Sequence, residues 1–228
     1  MSKVVVIGGT SGIGKSFVET YHSSYSIQTI SRSENSIKFV EHSVCDVLEN
    51  TLPQIDDPIQ GIVYLPGSIA LKPFKSLKTE HFISDFQINV IGAVNVLKAY
   101  ESNLKAYDGV SSVVLFSTVA VQKGMAFHAS IASAKGATEG LTRSLAAEWS
   151  PKVRVNCIAP SIVDTPLASR LLRTDKQREA SAARHPLQRI GTADEIAHTI
   201  DFLLSDKSSW MTGQVISVDG GMSAIQKI

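Results

Sequence analysis

Cysteine is nearly absent from this sequence: Cys45 and Cys157 are the two thiols in 228 residues. They make no disulfide framework and lack metal-ligand spacing, so neither a stapled secreted scaffold nor a metal centre is expected. A charge excess is missing too. Lys+Arg 22 against Asp+Glu 21 leave a net charge of +1, which gives no electrostatic case for nucleic acid or an anionic membrane as partner. No apolar run reaches the roughly 18 residues of a membrane span, and the opening MSKVVVIGG is too short for a signal-peptide core. The expectation is a soluble, cytoplasmic protein. What is present is a globular composition, 43% hydrophobic and 19% charged. A chain of this length can bury on the order of 70% of its unfolded surface, enough for a single domain over 1–228.

Short apolar runs alternate with longer helical patterns. Val4–Ile7, Ile27–Ile30, Ser36–Val40, Gly61–Leu65, Val113–Phe116, Val153–Ile158 and Val215–Val218 read as strands. Helical spacing runs over Ile13–Tyr21, over Thr79–Tyr107 through Phe82, Phe86, Val90, Val94, Leu97 and Leu104, and over Ile131–Trp149. A further helix, Asp194–Leu204, is opened by Thr192 at the N-cap with Glu195 in the capping-box position. Strand–helix alternation predicts an α/β fold, a doubly wound parallel sheet flanked by helices. Two connections, Arg32–Asn35 and Val47–Gln60, are short or carry proline, so one crossover helix is expected to be missing there.

Gly8-Gly9-Thr10-Ser11-Gly12-Ile13-Gly14 lies between the first strand and the first helix. Glycines there let the backbone turn and approach a pyrophosphate, and the helix N-terminus offers unpaired N–H groups to the anion. Four glycines exceed what a plain turn needs.

From this point the sequence resembles the classical short-chain dehydrogenase/reductase family. Gly8, Gly12 and Gly14 match its Thr-Gly-x-x-x-Gly-x-Gly loop, with Ile7 in place of the Thr. The resemblance continues through Cys45-Asp46-Val47, Asn89, the Asn156–Pro160 stretch followed by Ser161, Pro186–Gly191, and Thr212–Gly221. It implies a Rossmann-like sheet of six to seven strands and a nicotinamide cofactor. Gly8, Thr10, Ser11, Gly12, Ile13 and Gly14 would hold its phosphates, Asp46 its adenine, and Pro160, Ile162, Thr165 and Lys135 its nicotinamide half. Ser31-Arg32-Ser33 closes the second strand where a carboxylate would accept from a ribose 2′-OH and repel a 2′-phosphate. Arg32 can instead pair with that phosphate, and the serines can add hydrogen bonds. NADP(H) is therefore expected, with NAD the alternative.

The family's chemistry, as the resemblance implies it, uses a Ser, a Tyr and a Lys in the pattern Tyr-x-x-x-Lys, with a helical Asn. Lys135 and Asn89 match; Thr118 stands at the Ser position and keeps a hydroxyl donor. At the Tyr position stands Ile131, which cannot transfer a proton. His128, seven residues before Lys135, is a candidate replacement acid on the same face if the helix extends that far; a loop or surface His is the plainer reading. Lys135 is another candidate acid, since a neighbouring alkyl chain would desolvate it. Tyr64 is a further candidate to reach the cofactor, from the Tyr64-Leu65-Pro66-Gly67 segment, itself a departure from the family's Asn-Asn-Ala-Gly.

Pro166–Arg189 corresponds to the family's substrate lid and carries Arg170, Arg173, Lys176, Arg178, Arg184 and Arg189 against Asp175 and Glu179. A solvated face or an anionic, carrier-bound substrate both fit that excess. Two functions stay open. One is an NADP(H)-dependent oxidoreductase acting on a carbonyl or activated double bond of a small or carrier-bound substrate, with an altered proton donor. The other is a catalytically inactive NADP(H)-binding protein serving as a regulator or oligomer partner. Small residues on the Lys135 helix and the long helix before it resemble the family's subunit contacts, and a homodimer or homotetramer is expected.

Overall fold

The computed structural model describes residues 1–34, 37–49 and 51–225. Its centre is a seven-stranded parallel sheet in the order β3-β2-β1-β4-β5-β6-β7. The strands are β1 Lys3–Ile7, β2 Ser26–Ser31, β3 Glu41–Val44, β4 Ile59–Tyr64, β5 Ser111–Phe116, β6 Val153–Pro160 and β7 Val215–Val218. In β1 the side chains alternate between the faces, and both faces are apolar. Val5 and Ile7 join a core with Ile62, Leu97, Tyr100 and Trp149, while Val4 and Val6 join Phe17, Val18, Ile196, Ile200 and Leu203 on the other side. The first core is closed by α3 (Gly92–Ala106) and α5 (Ala129–Trp149), the second by α1 (Gly12–Tyr21) and α7 (Ala193–Leu204). This is the doubly wound arrangement read from the sequence. It reverses direction beside β1, which pairs with β2 through Ile7↔Ile30 and with β4 through Ile7↔Tyr64. Ligands of such sheets bind in the crevice beyond the strand ends at that reversal.

The boundaries differ from expectation at three places. The third strand is Glu41–Val44, paired in register Gln28↔Glu41, and not Ser36–Val40; Ser36 lies outside the described residues. An apolar run marks a strand buried on both faces, whereas this one is the sheet edge and is built from polar residues. Phe39, the aromatic residue of the expected strand, sits instead in a turn with φ +70° and is 90% exposed. Neither the connection between β2 and β3 nor that between β3 and β4 contains a helix among the described residues, so two crossovers lack one where the sequence suggested a single loss. The long helix is continuous in path but not in type. α2 (Thr79–Phe86) passes through a π-helical turn, Gln87–Ile91, into α3. Such a turn re-aims the side chains around it and recurs at functional sites; Asn89 lies within it, 1% exposed. Among the described residues no helix is long and apolar enough to cross a membrane.

Candidate functional site

At the carboxyl ends of β1, β2 and β4 lies a groove of about 650 Å³. Its floor is the glycine turn. Gly8 and Gly12 adopt φ of +83° and +51°, and a Cβ on Gly14 would stand 2.3 Å from the Gly8 carbonyl oxygen. That contact cannot be relieved by a side-chain shift, so the loop closes onto α1 through a glycine. Ser11, the N-cap of α1, makes no side-chain capping bond, and the amides of the first turn are left open to an incoming acceptor. Thr10 Oγ1 donates to Ser31 Oγ at 3.2 Å and lies 3.3 Å from Ser33 Oγ, tying the loop to the end of β2. Arg32 is exposed at the groove wall and has no ion-pair partner among the described residues. Asp46, on the same wall, accepts from the Leu48 amide at 3.0 Å. Gly8, Thr10, Ser11, Gly12, Ile13, Gly14, Ser31, Arg32, Ser33, Asp46 and Thr165 thus all line one groove. Lys15 does not; it pairs with Glu19 at 3.6 Å. An elongated, glycine-floored groove with open amides and a free guanidinium fits a phosphorylated dinucleotide.

The groove runs into a second cavity of about 330 Å³, with Ile13, Leu65, Gly67, Thr165 and Leu167 lining both. Most of its wall is apolar. Thr118, His128, Ile131, Lys135, Pro160 and Ile162 all line it. Thr118 caps α4 (Val119–Lys123), its oxygen accepting from the Ala120 amide at 3.3 Å, so the hydroxyl proton remains available to a ligand. His128 is not inside the helix as the seven-residue spacing required, but is its N-cap residue. Its Nδ1 donates to the Ala126 carbonyl at 2.7 Å, leaving Nε2 as the second nitrogen. Ile131 is 5% exposed, one turn before Lys135. Lys135 is buried, its Nζ donates to the Phe116 carbonyl at 2.8 Å, and desolvation pulls its ammonium down to about 8.

Tyr64 is turned away from this chemistry. Its hydroxyl donates to the Ile88 carbonyl at 2.6 Å, and burial raises its pKa far above the ordinary tyrosine value. Asn89 lies behind the wall: its Nδ2 donates to the Asp85 carbonyl at 2.7 Å, and its buried Oδ1 has no hydrogen-bond partner. A Cβ on Gly67 would come 3.4 Å from that Oδ1 and 3.6 Å from Lys135 Nζ, so both atoms press against the same glycine.

Sequence reasoning missed several polar residues of the cavity. Ser68, next to Gly67, lines it and donates to the buried Asp85 carboxylate. Ser161 and the buried His185 line it as a pair, with His185 Nε2 accepting from Ser161 Oγ at 2.8 Å while Nδ1 donates to the Ser181 carbonyl at 2.8 Å. Ser161 had been visible as a departure from the family's glycine; the helical spacing of Asp85 from Asn89 was a second, unused signal. The lid is less cationic than its composition. Arg178 forms a two-pronged pair with Asp164 at 2.7 and 3.1 Å, and Arg189 pairs with Glu195, whereas Arg184 lines the cavity. Leu167 and Leu171 face the cavity, while Leu172 is buried in the lid itself.

Known proteins resemble this arrangement throughout. A family model described as enoyl-(acyl carrier protein) reductase matches residues 38–223. A tropinone reductase homolog of Arabidopsis thaliana is 33% identical over 245 residues, covering 96% of this chain and 92% of that protein. L-xylulose reductase of Bos taurus is 29% identical, covering 97% and 96%. Among solved structures, a putative NAD(P)-dependent gluconate 5-dehydrogenase from Beutenbergia cavernae, with NADP bound at low occupancy, superposes with a TM-score of 0.89 at 25% identity, covering 98% of this chain and 97% of that one.

Proposed function

The chain belongs to the short-chain dehydrogenase/reductase family of NAD(P)-dependent oxidoreductases, and from that premise we propose that it is an NADP(H)-dependent reductase of a carbonyl or activated double bond. The observation that carries the reading is the junction of groove and cavity, where Lys135 meets both the wall of the cavity and the glycine that separates it from the groove. NADP(H) is favoured over NAD(H) by Arg32, without an ion-pair partner among the described residues, beside Ser31 and Ser33, a set of donors where a carboxylate would exclude the 2′-phosphate. When bound, the cofactor supplies the hydride. The chain's own part is to hold phosphates on the first-turn amides of α1, to orient the substrate oxygen toward Thr118, and to exclude water with the apolar cavity wall.

Ile131 occupies the position of the family's general acid, so the proton comes from another group. Orientation of the reactants supplies about 7–11 kcal/mol and a general acid roughly 3–5 kcal/mol. The larger share does not depend on Ile131. The mainly apolar cavity suits a small hydrophobic carbonyl or the acyl end of a carrier-bound thioester, with Arg184 at the lid. We further place the protein in a soluble homo-oligomer, its contact helices being α3 and α5.

A second reading, a cofactor-binding protein without catalysis, is favoured by Ile131 alone. Calorimetric titration with NADPH and NADH separates these. NADPH binding tighter than NADH, followed by turnover of ketones or enoyl thioesters, supports the reductase. Tight NADPH binding with no turnover of either class supports the regulator, and no binding at millimolar concentration ends both.

A further inference from the structure

Next to Ile131 in the chain a polar network begins that reaches the cavity. Asp85 is buried, 3% exposed, on α2. One carboxylate oxygen accepts from Ser68, the other from Ser130 Oγ at 2.5 Å, and Ser130 immediately precedes Ile131 on α5. Asn89 Nδ2 approaches Ser68 Oγ at 3.3 Å from the second side. Ser130 and Asn89 are 1% exposed, so among these four side chains only Ser68 lines the cavity. Burying a carboxyl costs several kcal/mol unless it is well partnered, and here two serine hydroxyls partner it. Lys135 is the charged group facing Asp85 from α5; the two attract one another, and Lys135 Nζ rests against Gly67, the residue before Ser68.

We propose that Ser68 and Asp85 form the proton-delivery pair of this active site, taking the place left by Ile131. The assignment rests on the reductase reading. In reduction, hydride adds to the substrate carbon as the carbonyl π pair takes the Ser68 hydroxyl proton. The Asp85 carboxylate, which accepts from Ser68 and Ser130, relays a proton taken from solvent to Ser68 Oγ as Ser68 gives up its own, and is carboxylate again at the end of the turnover. Oxidation runs the same path backwards: the substrate hydroxyl proton passes to Ser68 Oγ, the Ser68 proton to the Asp85 carboxylate, and hydride leaves the carbinol carbon. Ser68 is the catalytic residue; Asp85 acts through it. Asn89 and Ser130 hold the two in line.

The test uses the full-length protein and its Ser68→Ala and Asp85→Asn variants, with diacetyl and acetophenone as carbonyl probes. Each variant should keep its NADPH affinity by fluorescence titration, lose roughly 100-fold in kcat, and lose most of the solvent deuterium isotope effect on kcat that proton transfer through Ser68 gives the parent. A second readout needs no cofactor. In protein labelled with 13C-carboxyl aspartate, the Asp85 carboxyl resonance at neutral pH should move in Ser68→Ala, because the hydroxyl that donates to it has been removed. Should Asp85→Asn fail to fold, Ser68→Ala supplies both readings. Parental kcat and solvent isotope effect in Ser68→Ala, or an unmoved Asp85 resonance, overturn the pair while leaving the reductase reading intact. A parent protein that binds no NADPH overturns that reading and this one with it.

Discussion

Lys135 Nζ donates a 2.8 Å hydrogen bond to the carbonyl oxygen of Phe116, the last residue of β5, and the lysine is otherwise enclosed. One neutral acceptor does not replace the water that an ammonium loses, which is why desolvation brings its pKa from 10.5 to about 8. Between those two values the unfolded chain binds more protons than the native one, so stability rises with pH. Measured against Lys135→Met, the parent should gain roughly 3 kcal/mol between pH 8 and pH 10.5. Urea unfolding across that window checks it; parallel curves for the two proteins would contradict the lowered pKa.

Arg32 stands in the groove without a carboxylate partner among the described residues. A charge-assisted hydrogen bond to a 2′-phosphate is worth about 1.5–3 kcal/mol. Arg32→Ala should therefore weaken NADPH binding by roughly 10- to 100-fold and leave NADH binding within a factor of about two. Fluorescence titration of both cofactors reads the difference. Equal losses for both would assign Arg32 a structural part.

Gly14 carries the tightest backbone approach in the loop. A methyl group added there would stand 2.3 Å from the Gly8 carbonyl oxygen, so the turn and α1 must part. Gly14→Ala should cost about 1–3 kcal/mol in stability and abolish dinucleotide binding by calorimetry. Gly140, where an added Cβ meets nothing within 4 Å, supplies the control: Gly140→Ala should bind normally.

The sheet and its glycine turn were readable from the chain because they depend on local patterns. A β-branched run such as Val4–Ile7 is buried on both faces wherever it sits, and four glycines between a strand and a helix need only the preceding strand to be placed. Edge strand β3 was misplaced because an edge answers to pairing with β2 and not to its own hydrophobicity. The groove residues followed from the same local logic and from resemblance. Ser68, Asp85 and Ser130 did not, since they lie on three separate segments joined by tertiary packing. Ser161 and His185 likewise meet across 24 residues. The inserted residue of the π turn, which sets the aim of Asn89, leaves no mark in an apolar spacing of three and four.

Ile131 lies at the cavity wall one turn before Lys135, 5% exposed, and on the reading proposed above it holds the place of the family's Tyr. Ile131→Tyr adds an acid to a site that, on the reading above, already takes its proton from Ser68. The gain should then depend on the background. General acids contribute about 10²–10⁴-fold, so in Ser68→Ala the added Tyr should raise kcat for acetophenone reduction by at least about 100-fold. In the parent the same change should give a much smaller rise, because two donors serving one proton do not add. Steady-state kinetics of the four proteins forms the cycle, with NADPH affinity as the check that the cofactor half is undisturbed. Equal gains in both backgrounds would show that Ser68 carries no proton. A loss in both, with NADPH binding retained, would show that the cavity is shaped to Ile131 itself and that the wall, more than any acid, governs turnover.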